Sequence, residues 1–219
     1  MTMRHEGMRE ARAGQAALLW FWVIRTVAAA LGEIGGHAVA GKGRYLLAAA
    51  CVVTVAVLFA RDRAGRIAFW PVLVGVSMVS AAVAHMTDRS LGTGDLVATI
   101  QLAALFALAL IVWARAAGTS GFLCTGSIRD QAPFWIVAML AQAFASALAD
   151  WVVDPYQTGA SIVLLIVATG LPAMAAARGA RIARLALFWT AFVLTGILGA
   201  LWGDMLISLV ATQAIAVKM

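Results

Sequence analysis

FWVIRTVAAALGEIGGH, residues 21–37, is the stretch that decides the fold, because its outline returns three more times along the chain. A Phe-Trp pair opens a long apolar run, and fifteen residues after the tryptophan stands a side chain that can bind a metal or a proton. The four pairs are Trp22 and His37, Trp70 and His85, Trp135 and Asp150, and Trp189 and Asp204. An offset that recurs four times predicts an internal repeat, and therefore four similar helices.

The composition indicates a membrane protein. Hydrophobic residues make up 63% of the 219 residues and charged residues only 12%, whereas a soluble domain is about half apolar and about a quarter charged. The net charge of +6 does not indicate a nucleic-acid partner, because the basic residues lie in short loops between apolar runs. We therefore predict an all-α integral membrane protein, with a cytoplasmic N-terminal tail at residues 1–15 and a single transmembrane domain at 16–219.

Eight transmembrane helices are expected, as four two-helix repeats at about 16–62, 67–116, 132–178 and 183–219. A bilayer core requires about 20 apolar residues per helix. The first helices of the repeats are predicted near 16–38, 67–87, 132–152 and 183–204. Their partner helices are predicted near 44–60, 95–114, 158–177 and 205–217. The last of these is short, so seven spans are the alternative.

The placement of the basic residues predicts the orientation, since cytoplasmic loops of membrane proteins are rich in Lys and Arg. One side carries twelve basic residues, at positions 4, 9, 12, 61, 63, 66, 115, 129, 178, 181, 184 and 218. The other side carries three, at positions 42, 44 and 89. This asymmetry predicts a cytoplasmic N-terminus, and with eight spans a cytoplasmic C-terminus. The four repeats are then parallel, and the offset-fifteen residues lie toward the outer ends of their helices.

The offset-fifteen residues are candidate metal ligands. We expect His37, His85, Asp150 and Asp204 to converge, with Glu33 one turn beneath His37 on the same helical stripe. The residue before each of the four is small, which lets membrane helices approach closely: Gly36, Ala84, Ala149 and Gly203. Imidazoles and carboxylates together suit a divalent Mn, Fe, Co, Ni or Zn ion better than Mg²⁺, Ca²⁺ or Cu(I). The alternative is that each residue caps a helix end in contact with lipid headgroups and water.

Two further charged residues have open interpretations. Arg25 lies several residues inside the first helix. Its side chain either extends along the helix to the cytoplasmic face or acts as a fixed cation under the acidic cluster, which balances the carboxylates when the metal has left. Asp88 follows His85 by one turn and is a spare ligand. The Phe-Trp pairs are expected at the cytoplasmic interface, where aromatic side chains anchor membrane proteins.

The repeat resembles a family of bacterial membrane proteins of uncharacterised activity, built from four tandem two-helix repeats that are each marked by a tryptophan. The resemblance covers residues 16–219. It rests on FWVIRTVAAALGEIGGH (21–37), FWPVLVGVSMVSAAVAHMTD (69–88), FWIVAMLAQAFASALAD (134–150) and FWTAFVLTGILGALWGD (188–204). It implies the fold and a location in the bacterial inner membrane. Members of the family typically carry Asp where this chain has His37 and His85. The site of this chain would therefore contain more nitrogen ligands than the site of the family.

The sequence favours a small transporter for a divalent transition-metal ion, with export as one candidate direction and protons as a candidate coupling ion. Its ligands would be Glu33, His37, His85, Asp150 and Asp204. The alternative is a haem-binding membrane protein with His37 and His85 as axial ligands, although a haem pocket is mostly apolar and the two carboxylates do not suit it. An enzyme is not expected, because the sequence has no nucleophile–base pair and no phosphate-binding loop. The partners implied are the lipid bilayer and a metal ion, and no nucleic acid.

Overall fold

The computed structural model describes residues 19–38, 69–91, 95–116, 128–153 and 181–216, and the single residue 53. The five segments are all α-helical, which confirms the predicted all-α class for the described residues. They are α1 (19–38), α2 (Phe69–Leu91), α3 (Asp95–Ala116), α4 (Ile128–Val153) and α5 (Arg181–Ala216). The predicted helices near 44–60 and 158–177 lie outside the described residues, as do the predicted tail and most of the loops.

Four of these helices are long and apolar enough to cross a membrane. The candidate spans are Phe69–Thr87, Leu96–Arg115, Ala132–Val152 and Leu185–Gln213. Helices can cross a bilayer because they satisfy all of their backbone hydrogen bonds internally. The chain is therefore a multi-pass helical membrane protein.

Helices α1, α2, α4 and α5 run parallel to one another. Along α1 and α5, Gly196 lies beside Arg25 and Gly203 lies beside Glu33, so the residue numbers rise together. The side chains of α1 and α4 show the same order, because Arg25 bonds to Gln142 and Glu33 bonds to Ser146. Ser77 and Ala81 of α2 lie beside residues 32 and 36 of α1. The four helices therefore bring their C-terminal ends to the same side of the bundle.

Helix α3 runs in the opposite direction on the outside of the bundle. It packs mainly on α4, where Thr99 donates to the carbonyl oxygen of Ala147 and Trp113 contacts the ring of Phe134. Its other face exposes a row of large apolar side chains, at Leu96, Ile100, Leu105, Leu108, Ile111 and Val112. That composition suits contact with lipid, which is as apolar as the side chains themselves.

The Phe-Trp pairs of the four parallel helices form a closed cycle, which we call the aromatic collar. The phenylalanine of each pair contacts the tryptophan of the next helix in the cycle. The contacts, by ring-centroid distance, are Phe21–Trp70 (5.9 Å), Phe69–Trp135 (5.5 Å), Phe134–Trp189 (5.7 Å) and Phe188–Trp22 (5.8 Å). Trp135 and Trp189 are buried. The prediction that these pairs are lipid-interface anchors is therefore wrong for these two tryptophans, which are core residues of the bundle.

Helix α5 corrects the predicted final pair of helices. The boundary expected between residues 204 and 205 does not exist, since α5 continues from Arg181 to Ala216 as one helix. No proline or charged loop follows Asp204, and the sequence MLISLV continues the apolar run. The prediction of a separate helix at 205–217 is wrong. The candidate span of 29 residues would be about 43 Å long at 1.5 Å per residue. This exceeds a bilayer core of about 30 Å, and tilting, kinking or local thickening of the bilayer accommodates the excess.

Candidate metal site

The structure brings the five predicted site residues together near the C-terminal ends of α1, α2 and α4, beside Asp204 of α5, which continues for twelve residues beyond this level. Helix α1 supplies Glu33 and His37, α2 supplies His85, α4 supplies Asp150, and α5 supplies Asp204. The repeated offset explains the shared level, because parallel helices that start at one collar reach the same height after the same number of residues. No two of the helices hold all five side chains.

Glu33 is the centre of the cluster. Its carboxylate is fully buried, and its Oε1 lies 2.7 Å from Nε2 of His85 and 3.8 Å from Nε2 of His37. Its Oε2 accepts a hydrogen bond of 2.8 Å from the hydroxyl of Ser146. Because a buried carboxylate needs partners for its lone pairs, both oxygen atoms are held in fixed positions.

The two imidazoles are in contact with each other. The ring centroids of His37 and His85 are 3.9 Å apart, and the ring planes are inclined by 39°. Both Nε2 atoms point toward Oε1 of Glu33. Rings this close leave no space for a porphyrin between them, so the geometry argues against the haem alternative, which needs an imidazole on each face of the macrocycle.

The two aspartates take different positions around the histidines. Oδ1 of Asp204 lies 2.9 Å from Nε2 of His37, on the same nitrogen that faces Glu33. Oδ2 of Asp150 lies 3.3 Å from Nδ1 of His85, the nitrogen on the opposite side of the ring from Glu33. Asp204 therefore contacts the His37 nitrogen that also lies 3.8 Å from Glu33, whereas Asp150 contacts the far side of the His85 ring.

The atoms at the centre of the cluster could hold a metal ion. One ligand atom each from Glu33, His37 and His85 lie within 4.8 Å of one another. A tetrahedral ion with bonds of about 2.1 Å separates its ligands by about 3.4 Å, and the distances of 2.7, 2.9 and 3.8 Å around Glu33 and His37 bracket this value. A divalent ion would take the place of the proton shared between an imidazole and a carboxylate.

One side of the cluster is open and the other is closed. The side chains of His37, Asp204 and Asp150 are 34%, 33% and 29% exposed, whereas Glu33 is 0% exposed. His37 and Asp150 lie near the C-terminal ends of α1 and α4, and Asp204 lies at the same level of α5. An ion would therefore reach the cluster from that end, and Glu33 would be the deepest ligand.

Arg25 lies below the cluster, inside the bundle. It is fully buried, its Cζ stacks 3.9 Å from the ring centroid of Phe192, and its Nη2 donates to Oε1 of Gln142. The interpretation that Arg25 extends to the membrane surface is wrong, because the guanidinium is enclosed by α1, α4 and α5. Among the described residues it forms no ion pair with a carboxylate. The side chain of Asp88, the spare ligand, lies outside the described set.

The sequence reasoning missed Ser146 as a partner of the site. The signal was present, because Ser146 follows Trp135 by eleven residues and Glu33 follows Trp22 by eleven residues. The equal offsets place the two residues at one level of two parallel helices, and the hydroxyl donates across that gap.

Comparisons with known proteins add no assignment. No family model matches the chain, and neither a curated protein nor a solved structure matches it.

Proposed function

We propose that this protein is a transporter of a divalent transition-metal ion. The observation that carries the proposal is the buried Glu33 carboxylate that faces two imidazole nitrogens between membrane helices. Ionisable groups inside a membrane are costly and are typically found where an ion or proton passes. The resemblance of the four repeats to bacterial inner-membrane proteins supports the location, and the N-terminus would be cytoplasmic.

The ligands of the ion would be Glu33, His37, His85 and Asp204. They provide two nitrogen and two or more oxygen donors, a set that suits Mn, Fe, Co, Ni or Zn in the divalent state. The fifth predicted ligand, Asp150, would act through His85, because it faces Nδ1 while Nε2 faces Glu33. Carboxylates in this position orient the imidazole and strengthen it as a ligand.

The exposed face of the cluster supports exchange of the ion with one side of the membrane. If the N-terminus is cytoplasmic, that side is the outer one, and export would end with release from His37 and Asp204. Protons are the natural counter-substrate, since imidazoles and carboxylates that lose a metal ion take up protons. We include no enzymatic role in the proposal.

Metal titration of the purified protein tests the proposal. Wild type should bind Mn²⁺ or Zn²⁺, Glu33→Gln should bind at least about a hundredfold more weakly, because a buried charge-assisted ligand is lost, and Asp95→Asn at the start of α3 should bind like wild type. Flux of the same ion into proteoliposomes should be lost in Glu33→Gln. Wild type that binds no divalent ion, or equal damage from Asp95→Asn, would overturn the metal site. Binding without flux would overturn transport alone.

A further inference from the structure

The side of the bundle opposite the candidate metal site is closed by two layers. The first is the aromatic collar, whose four inter-helix contacts join α1, α2, α4 and α5 in a cycle. The second lies between the collar and the cluster, where Arg25 stacks on Phe192 and donates to Gln142. The apolar residues around them, including Val72, Val137 and Ala138, are also buried.

Several hydrogen-bond donors of Arg25 and Gln142 lack partners among the described residues. Nε and Nη1 of Arg25 and Nε2 of Gln142 are buried, and none of these three nitrogen atoms has a hydrogen-bond partner in the part of the chain that the structure describes. Among the described residues no carboxylate contacts the guanidinium. One hydrogen bond and one cation–π contact offset only part of the cost of removing a guanidinium from water.

Water would satisfy these nitrogen atoms if the helices separated at the collar. The closed arrangement buries Arg25 completely. Opening the collar gives up aromatic contacts but hydrates a cation and three unsatisfied nitrogen atoms. The loss of aromatic contacts and the hydration of Arg25 oppose each other, so the closed and the open arrangement of the bundle stay close in free energy. A transporter requires two such arrangements.

We propose that the aromatic collar and the Arg25–Gln142 contact form a gate that closes the bundle on the side opposite the candidate metal site. With the gate closed, the cluster exchanges with the side where His37 and Asp204 are exposed. With the gate open, water enters from the collar side, hydrates Arg25 and reaches Glu33 from below. The proposal rests on the proposed transport function, but its test measures access to the bundle and needs no metal.

Cysteine accessibility tests the gate in full-length protein with Cys51 and Cys124 replaced by alanine. Ala138→Cys reports on the buried layer between the collar and the cluster, and Asp204→Cys reports on the exposed side. Both are labelled with a membrane-impermeant thiol reagent in proteoliposomes. Phe188→Leu removes the collar contact with Trp22 and also the ring contacts with Phe134, Trp189 and Phe192. Phe144→Leu is the matched control, because Phe144 is also a partly buried phenylalanine but lies outside the collar.

The gate predicts that the two reporters change in opposite directions. Phe188→Leu should raise labelling at Ala138→Cys by at least about two- to tenfold, the effect of losing one aromatic contact or more, and lower labelling at Asp204→Cys. Arg25→Met removes the unsatisfied cation. It should lower labelling at Ala138→Cys, raise labelling at Asp204→Cys and raise the Tm. Phe144→Leu should change neither. Labelling that rises at both reporters in Phe188→Leu, or that rises at Ala138→Cys in Arg25→Met, would show an ordinary packed core and overturn the gate.

Discussion

Oδ1 of Asp204 lies 2.9 Å from Nε2 of His37, a contact between the last and the first described helix across 167 positions of the sequence. This contact joins α5 to α1 at the same level of the bundle at which Glu33 of α1 contacts His85 of α2. The cluster therefore exists only when α1, α2, α4 and α5 are assembled, and each helix contributes at least one of its side chains.

The two aspartates should differ in their effect on metal affinity. Asp150 faces Nδ1 of His85, so Asp150→Asn should weaken binding about 10- to 100-fold, as expected for a residue that orients a ligand. Glu33→Gln should have a larger effect, because Glu33 faces both Nε2 atoms. Titrations of both variants and wild type with the same ion check the order. An Asp150→Asn effect equal to that of Glu33→Gln would make Asp150 a direct ligand.

Ser146 should contribute to affinity without touching the ion. Its hydroxyl donates to Oε2 of Glu33, the oxygen that does not face the histidines. Ser146→Ala should lower metal affinity by about 10- to 150-fold, since a hydrogen bond to a charged group contributes about 1.5–3 kcal/mol. The control is Ser208→Ala, at an exposed hydroxyl of α5 that bonds only to its own helix. Equal metal affinities of Ser146→Ala and Ser208→Ala would show that the hydrogen bond to Glu33 does not contribute to binding.

The sequence could predict the level of the site because helix geometry is regular. A residue fifteen positions after the collar lies about 22 Å along any straight helix, so parallel helices place His37, His85, Asp150 and Asp204 at one height. It could not predict the rotation of each helix about its axis. That rotation decides that Asp204 meets Nε2 of His37 while Asp150 meets Nδ1 of His85.

Two features depend on packing that a single sequence does not encode locally. The close approach of α5 to α1 is one of them, since Gly203 packs against Glu33 and Ala30. Arg25 is buried because Phe192 and Gln142 on two distant helices receive its guanidinium. A charged residue near a helix start ordinarily extends to water, and only the neighbouring helices show that this one does not.

Gly203 should be intolerant of a side chain. A Cβ at this position would lie 2.7 Å from Cβ of Glu33 and 3.0 Å from the carbonyl oxygen of Ala30. Gly203→Ala should therefore lower stability by about 1–3 kcal/mol, the usual cost of overpacking, and weaken metal binding by displacing Glu33. Thermal unfolding in detergent and metal titration measure the two effects. The control is Leu209→Ala, on the exposed face of α5, and a Gly203→Ala variant as stable as that control would contradict the close approach.

The direction of α5 changes the predicted topology of the chain. Helices α1 and α5 are parallel, since Gly196 lies beside Arg25 and Gly203 lies beside Glu33. The end of α5 therefore lies on the side of the bundle opposite the start of α1. This arrangement is inconsistent with cytoplasmic positions for both ends, which had followed from a separate helix at 205–217.

A pair of reporters should consequently read opposite sides of the membrane. The basic residues still predict a cytoplasmic N-terminal side, so a reporter before residue 1 should be cytoplasmic and one after residue 219 should be on the outer side. The span Leu185–Gln213 is predominantly apolar although it contains Asp204, and a single crossing accommodates its length by tilting, kinking or local thickening of the bilayer. A third reporter inserted after residue 92, between α2 and α3, should also be on the outer side. Cytoplasmic signals from both ends would mean that the chain turns back after Asp204, and would restore eight spans.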